Sequence, residues 1–401
     1  MRNSSALVLL TVAMVGTSGQ LGSQQSMATS PDLKVHEWGT FTSVAGPDGS
    51  SVEWAPLNGP SDLPCFVTVL NPRSLKTRFN GTLSSIKATV RMETPVLYFY
   101  SPYAETVHAS VRFPSGLITE WYPASTPIAA GIEWKDIEVL PDARPDFPVD
   151  GGQSHYYAAR ETDAAPLQVG DQNERFLFYR GLANFPVPIS ATIDRDGAVD
   201  VQNTGAHVVP AMILFERDGS GLGYRVVHGA PKRVTLARPE LTSTVDSLRQ
   251  DLQQLLTDQG LYPREAAAMV DTWRDSWFER GTRLFYLFPQ ASVDAILPLR
   301  IAPQPAEVTR VFVGRLELIT PEIQTEVERA IRDGDEALLS QYGRFLEPIA
   351  RRVASAPASR LEETKVQAAL RTLAAQYVSP QEERACVTPR PARKWHGAID
   401  Q

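Results

Sequence analysis

Two strand-like segments carry the side chains best suited to acid–base chemistry. His36 and Glu37 are adjacent in LKVHEWGTFTSV, and Glu93 lies in VRMETPVLYFY. Because side chains alternate along a strand, His36 and Trp38 share one face while Glu37 and Phe41 share the other. One interpretation makes His36 an acid, base or ligand beside a stacking Trp38. The alternative is a core tryptophan and a histidine satisfied by the backbone.

Glu93 is the more informative carboxylate, because its segment is nearly continuous in apolar residues. Such a strand is expected to be covered on both faces, so the carboxylate must be paired or have a raised pKa. A raised pKa would make Glu93 a general acid. Arg91, two residues earlier on the same face, is the nearest partner for a structural ion pair instead. Pro95 cannot donate to a ladder, which predicts a bend or bulge beside Glu93.

The segment DTWRDSWFER combines acidic and aromatic side chains at helical spacing. Its carboxylates recur every four residues, two tryptophans lie beside them, and an arginine is available to reduce their mutual repulsion. These residues are Asp271, Asp275, Glu279, Trp273, Trp277 and Arg274. They suggest an acidic, aromatic groove that binds a cation or a polyol. The alternative is a solvated helix face beside a core tryptophan stripe.

Metal and nucleic-acid chemistry have little support. The zincin motif that His36-Glu37 begins would need a second histidine at position 40, which is threonine, so no metal site is predicted and the cofactor is left unknown. A net charge of -7 without a basic cluster argues against nucleic-acid binding. The two cysteines, Cys65 and Cys386, are a possible disulfide pair or two separate buried thiols.

The N-terminal segment has the pattern of an export signal. Arg2 precedes the apolar run ALVLLTVAMV, and small residues follow it. Residues 1–28 are therefore interpreted as a signal peptide and short leader with an undetermined cleavage point, and the run is too short to span a bilayer. The mature protein is expected to be periplasmic or secreted and to have no transmembrane span.

The remaining chain divides where its hydrophobic period changes, near residues 230–239. Residues 32–230 predict an antiparallel β-sandwich-like region, with hairpins around GPDGSS, Pro114-Ser115-Gly116, DRDG and residues 218–221. Residues 239–401 predict a helix-rich α+β region with two or three strands and five helices. The helices are expected from Leu241, from Pro263, after Thr320, over residues 339–353 with a kink at Pro348, and after Ser359. The expected fold class is α+β.

Four long segments resemble a family of exported bacterial proteins: HEWGTFTSV, METPVLYFYS, TWRDSWFERGTRLFYLFP and RVFVGRLELITP. The resemblance covers most of the mature chain and implies export and one shared architecture. It assigns no activity and therefore no catalytic residue.

Three hypotheses of function follow. The first is a binding or cell-envelope-associated protein whose unidentified extracytoplasmic ligand lies at the junction of the two regions, where ligand sites are common. The second is an extracytoplasmic hydrolase that uses His36 and Glu93, or two carboxylates, on a polysaccharide or peptide. The third is a structural scaffold without a ligand.

Overall fold

The computed structural model describes residues 29–58, 62–71, 86–151, 153–194, 196–356 and 361–377. The predicted signal peptide and Cys386 lie outside these residues. Export and the Cys65–Cys386 disulfide therefore remain predictions.

The described chain is mixed α and β structure with three sheets, which confirms the fold expectation at that coarser level. In chain order the strands are β1 (Thr29–Val44), β2 (Thr68–Val69), β3 (Val90–Tyr100), β4 (Glu105–Arg112), β5 (Gly116–Tyr122), β6 (Thr126–Ile128), β7 (Gly131–Val139), β8 (Leu167–Val169), β9 (Gln172–Glu174), β10 (Leu177–Ala183), β11 (Ile189–Ile193), β12 (Val199–Asn203), β13 (Val209–Arg217), β14 (Leu222–Ala230), β15 (Arg233–Leu236), β16 (Gly281–Leu287), β17 (Leu299–Ala302) and β18 (Gln304–Leu318).

The central sheet has nine strands in the order β14-β13-β16-β18-β1-β3-β10-β5-β2. Its pairs are antiparallel except that β1 and β18 run parallel, from Thr29 beside Gln304 to Val44 beside Glu317. A second sheet has the order β17-β4-β7-β8-β9, with β6 also paired to β7, and a third has the order β11-β12-β15.

Within the described ranges, the α-helices follow the strands of the first region. They are α1 (Val245–Asp258), α2 (Pro263–Trp277), α3 (Gln290–Ile296), α4 (Pro321–Asp333), α5 (Glu336–Ser340), α6 (Leu346–Ala354) and α7 (Glu363–Tyr377). Single 3-10 turns occur at His155–Arg160 and Gly343–Phe345.

Both faces of the central sheet are covered. On one face, here called the sheet side, Phe41 of β1 belongs to a core shared with Trp134 of β7 and Val201 of β12. On the other face, here called the helix side, Trp38 of β1 belongs to a core shared with Met269 of α2 and residues of α1. A third core joins the ends of β1 and β18 to α4, α6 and α7. The opposite facing of Trp38 and Phe41 confirms the predicted alternation along β1.

Two predicted helix starts are confirmed, at Pro263 of α2 and at Thr320 before α4. Thr244 caps α1 by accepting from the Ser247 N–H, Pro263 opens α2, and Thr320 caps α4 by accepting from the Ile323 N–H. The predicted helix from Leu339 to Val353 is instead interrupted. The chain ends α5 at Ser340 and begins α6 at Leu346, with the 3-10 turn between them.

Two of the four predicted hairpins form and two do not. The β11–β12 and β13–β14 hairpins are confirmed by their continuous antiparallel pairing. The strand pairing expected after β1 is wrong, because β1 pairs with β18 and β3, and its loop is closed by the isolated bridge Ala45–Ser51 and by the Val52 N–H, which donates to the Val44 carbonyl at 2.9 Å. The hairpin at Pro114-Ser115-Gly116 is wrong as well, because β4 and β5 belong to different sheets.

The central sheet takes strands from both predicted regions, since β1, β3, β10 and β13 pair in one sheet with β16 and β18. The first α-helix of the described ranges begins at Val245, shortly after residues 230–239, and the sheet continues across that point. In the part of the chain given above, no helix is long and apolar enough to cross a membrane.

The parallel pair tolerates no added atom at Gly314 of β18. A Cβ there would lie 2.1 Å from Cζ of the buried Tyr286. We expect Gly314→Ala to lower the free energy of unfolding by about 2 kcal/mol, because the ring must move in a packed core. Denaturant titration measures this loss.

Gly219→Ala is the matched control, since a Cβ at this position meets nothing within 4 Å. A loss in Gly314→Ala no larger than in Gly219→Ala would contradict the packing argument.

Candidate functional site

His36 lies on the helix side of β1, where it is 1% exposed. Its Nδ1 is 2.8 Å from Oε2 of Glu265, and its ring packs at 4.5 Å against Tyr262. The hydroxyl of Tyr100 donates to Oε1 of the same glutamate at 2.9 Å. Trp38 is fully buried in the helix-side core, so it offers no stacking platform to a ligand. This part of the structure matches the alternative of a buried tryptophan, with the histidine held by a glutamate in place of the backbone.

Glu37 points to the sheet side and is fully buried. Its Oε2 accepts from Nε of Arg310 at 2.6 Å, and its Oε1 accepts from the hydroxyl of Tyr179. Arg310 in turn donates to Asp294 and to the carbonyl of Leu297, both at 2.8 Å. Glu37 therefore links β1 to β10 and β18 and is closed to solvent.

Glu93 is also buried, but its partner is not Arg91. Oε1 of Glu93 accepts from Nη1 of Arg344, and Oε2 accepts from Thr42 at 2.5 Å. Arg91 donates to Glu120 at 3.0 Å. The predicted Arg91–Glu93 pair is wrong because the turn between α5 and α6 brings a more distant arginine onto the carboxylate.

The surroundings of Glu93 keep it ionised. Burial acts to raise the pKa of Glu93, but the charge and hydrogen bond of Arg344 outweigh burial, and with Thr42 and Arg315 they lower the pKa to about 2. A carboxyl group that is charged at neutral pH has no proton to donate. Glu93 is therefore unsuited to the role of general acid.

The predicted acidic flank of α2 is divided. Asp271 pairs with Arg249 of α1, Arg274 is half exposed, and Trp277 is fully buried. Asp275 is 68% exposed, and Glu279 follows the end of α2 and accepts from Nη2 of Arg315 at 2.6 Å.

A cleft of about 500 Å³ opens on the helix side of the central sheet. Its floor consists of charged side chains from β3, β5 and β10, namely Arg91, Glu93, Glu120 and Arg180.

The walls of the cleft come from the end of α2, the turn between α5 and α6, and two shorter segments. Trp273, Asp275, Ser276 and Glu279 form the α2 wall. Opposite elements contribute Asp62, His155, Arg344 and Phe345. The structure therefore brings Glu93 together with three residues predicted on the α2 flank, while His36, Glu37 and Trp38 lie elsewhere.

Two bulges shape the floor of this cleft. In β3 the register with β1 shifts between Val96 and Glu93, which confirms the predicted bulge next to Pro95. In β5 the register with β10 shifts between Glu120 and Ile118. A bulge adds one residue to a strand and re-aims its side chains. As a result Glu93 shares the helix side with Tyr98 although the two are an odd number of residues apart.

Thr94 occupies the bulge of β3 with φ +46. A positive φ is an outlier for a β-branched residue and costs on the order of 1–3 kcal/mol, so it persists only where the surroundings impose it. Here Arg180 donates to Oγ1 of Thr94 from Nε at 3.3 Å and from Nη2 at 3.1 Å. The strained residue therefore fixes one of the arginines of the cleft floor.

Arg180 keeps donor capacity for a ligand. Its side chain is 14% exposed, and the nearest carboxylate, Asp62, is 3.9 Å from Nη2. Burial lowers the pKa of Arg180, and Asp62 opposes this effect. Nη1 has no hydrogen-bond partner in the described chain. A guanidinium carries five N–H donors, so Arg180 can still bind an anionic or carbonyl group.

Ionisable side chains continue from Arg180 across the mouth of the cleft. Oδ2 of Asp62 lies 3.3 Å from Nδ1 of His155, whose Nε2 lies 2.6 Å from Oδ2 of Asp275. This row joins β10 to α2 and is therefore a contact between the first region and the helical one.

Four residues of the cleft were not predicted from the sequence, namely Asp62, Glu120, His155 and Arg180. One signal was available, since Arg180 interrupts the apolar run FLFYRGLA, as Glu93 interrupts its own strand. No local sequence pattern distinguishes Asp62 and His155 from other residues of their types. Their place in the cleft depends on residues that are distant in the sequence.

Comparison with models of known protein families and with curated proteins gave no match. The resemblance to a family of exported bacterial proteins therefore remains a prediction. Within the ranges that the structure describes, no group of three or more His, Cys, Asp or Glu side chains could hold a metal ion.

The lowered pKa of Glu93 predicts a defined acid dependence. Its charged form contributes stability that is present above the ordinary value of 4.5 and is lost as pH falls toward about 2. We expect Glu93→Gln to cost about 3 kcal/mol at pH 7, because Arg344 then loses its buried partner. Unfolding titrations at pH 7, 4 and 2.5 should show the difference from wild type shrinking with acid.

Glu240→Gln, at an exposed position, is the matched control. A difference in stability between wild type and Glu93→Gln that stays constant from pH 7 to pH 2.5 would contradict the assignment of a lowered pKa.

Proposed function

We propose that this protein is an exported ligand-binding or cell-envelope-associated protein that holds a small anionic ligand in the cleft between its β-rich first region and its helices. The observation that carries this proposal is the unused donor of Arg180. This arginine is largely buried, is fixed by the strained Thr94 and retains an Nη1 at the cleft that no described residue engages. Such a pre-positioned guanidinium loses little conformational freedom when it binds a carboxylate or phosphate.

The other cleft charges favour binding over proton transfer. Burial raises the pKa of Glu120, but the charges of Arg91 and Arg180 outweigh it and hold the pKa below its ordinary value. Glu93 is ionised for the same kind of reason, through Arg344. Carboxylates neutralised by arginines in this way stabilise a site's shape and contribute no acid.

The α2 wall suits the uncharged part of such a ligand. Trp273 gives this wall an aromatic surface, while its Nε1 and the hydroxyl of Ser276 are buried without a hydrogen-bond partner in the described structure. An aromatic side chain packs well against the apolar part of a ligand. The expected ligand therefore has an anionic group and a partly apolar body.

The finer organisation is part of the same proposal. A β-sandwich-like first region and a helix-rich second one are supported by the packing of the central sheet on the two smaller sheets and by helices that begin at Val245. Export is supported by the apolar segment after Arg2.

An extracytoplasmic hydrolase acting on a polysaccharide or peptide is the second candidate. The specific observation in its favour is His155, whose Nε2 lies 2.6 Å from Asp275 at the cleft. Asp62 lies on its Nδ1, and a histidine oriented by one carboxylate is a common general base when its other nitrogen is free, which here requires the 68% exposed side chain of Asp275 to turn away. Hydrolysis of a glycan or peptide panel that disappears in His155→Gln with unchanged Tm would favour this candidate.

The binding proposal is tested by a thermal-shift screen of the mature protein. D-Glucuronate, glutarate and N-acetylated acidic dipeptides are compared with the uncharged analogues D-glucose and glutaramide. A ligand at about 100 times its Kd adds roughly 2.7 kcal/mol and raises Tm by several degrees. We expect a rise with an anionic compound and none with its uncharged analogue.

Arg180→Gln should weaken the binding of the active compound by about 10- to 100-fold, the value of a lost charged hydrogen bond. Arg300→Gln, an exposed arginine on β17, is the control and should bind like wild type. Equal affinities in the two variants, or equal shifts with the uncharged analogues, would contradict the proposal.

A further inference from the structure

A second cavity, of about 660 Å³, lies apart from the cleft. Its lining comes from the start of β1, the end of β3, the segment 141–147, the 3-10 turn that ends at Arg160 and the start of α2. None of the residues predicted from the sequence as catalytic or binding lines this cavity.

Arginines dominate this cavity. Arg144, Arg160, Arg175 and Arg264 line it together with Lys34. The acidic side chains of the lining are Asp32, Glu161 and Asp163. Three of these cations are paired with a carboxylate, which leaves Arg144 and Arg175 as the cations of the lining without an ion-pair partner in the described ranges. Unpaired guanidinium groups attract anions.

Two of these arginines are fixed on one aromatic ring. The guanidinium carbon of Arg160 lies 5.3 Å from the centroid of Phe147, and that of Arg175 lies 5.4 Å from it. Arg160 is also held by Glu174, at 2.7 Å from Nη2 and 2.9 Å from Nε. Nη1 of Arg175 donates to the carbonyl of Ala164 at 2.8 Å. Stacking and hydrogen bonds therefore set the orientation of both groups before any ligand arrives.

These arginines keep donors that the described protein does not use. Nε of Arg175 is buried without a hydrogen-bond partner. Nη2 of Arg175, Nη1 of Arg160 and the whole guanidinium of Arg144 form no hydrogen bond or ion pair in the described ranges.

By contrast, Arg264 is paired with Asp163 and Lys34 with Glu307. Asp32 and Glu161 are exposed, where water screens them.

We propose that this cavity is a second binding site, specific for a small polyanion with two or more phosphate or carboxylate groups, and that Arg175 and Arg144 are its main contacts. One oxyanion would accept from Arg175 and from the free nitrogen of Arg160, beside the Phe147 ring. A second would reach Arg144 at the rim. Planar guanidinium groups suit such oxyanions because they donate two parallel hydrogen bonds.

Isothermal titration of the full chain with inorganic pyrophosphate and with citrate tests the site. We expect at least one of the two to bind, with an affinity that falls as salt is raised. Arg175→Gln and Arg144→Gln should each weaken binding by about tenfold or more, while Arg300→Gln should not. Arg144 is exposed, so its variant keeps the test open if Arg175→Gln fails to fold.

Arg180→Gln separates this site from the cleft, since it alters the cleft and leaves the polyanion cavity intact. Unchanged binding in Arg180→Gln supports a second site. Loss of binding in Arg180→Gln but not in Arg175→Gln would place the anion in the cleft and overturn the proposal, as would equal affinities in Arg175→Gln and Arg300→Gln or no heat from either compound. Binding of pyrophosphate alone or of citrate alone would support the site and identify its anion as phosphate or carboxylate.

Discussion

The parallel pairing of β1 with β18 is the constraint on which the rest of the structure depends. Thirteen residue pairs join a strand near the start of the described chain to one that begins at Gln304. Both strands are buried from about Val35 and Thr309 onward, as expected for a parallel pair that is covered on two faces. Because the pair lies in the middle of the sheet, β3, β10 and β5 on one side and β16 and β13 on the other are positioned by it.

This central position explains why charged residues can occupy the middle of the sheet. Glu37 of β1 meets Arg310 of β18 at 2.6 Å, and Arg315 of β18 meets Glu279 beyond α2. Removing charges from water is costly unless they are paired with good geometry, and neighbouring strands in fixed register supply that geometry. Similar pairing neutralises Glu93 in the cleft, so the feature that stabilises the fold also removes the acid that the hydrolase hypothesis required.

The sequence predicts what local interactions decide. Thr244, Pro263 and Thr320 act within one helical turn, and their helices begin within a few residues of the expected points. The β11–β12 hairpin follows from its Asp-Gly turn for the same reason. Strand pairing elsewhere is decided by distant segments. The chain after β1 has turn residues suited to a hairpin, yet β1 pairs with β3 and β18, whose greater length and burial determine the outcome.

Prediction of the candidate site from the sequence is limited in the same way. An apolar strand interrupted by a carboxylate identified Glu93, and a proline identified the bulge. The partner of Glu93 could not be predicted, because Arg344 reaches it only where the helix expected after Leu339 breaks at Gly343, whose φ is +48. Arg180 could not be predicted for the same reason, since its orientation depends on Thr94 of a neighbouring strand.

The two proposed sites share one structural element, the 3-10 turn His155–Arg160. His155 and Tyr156 line the cleft, and Arg160 lines the polyanion cavity. Glu174 fixes the turn, because its carboxylate accepts hydrogen bonds from the Tyr156 hydroxyl at 3.0 Å and from Nη2 of Arg160 at 2.7 Å. A fully buried carboxylate that binds two residues of one turn leaves that turn little freedom to rotate. Each site is therefore built on a rigid support, and the orientation of its charged groups is set by the fold before a ligand binds.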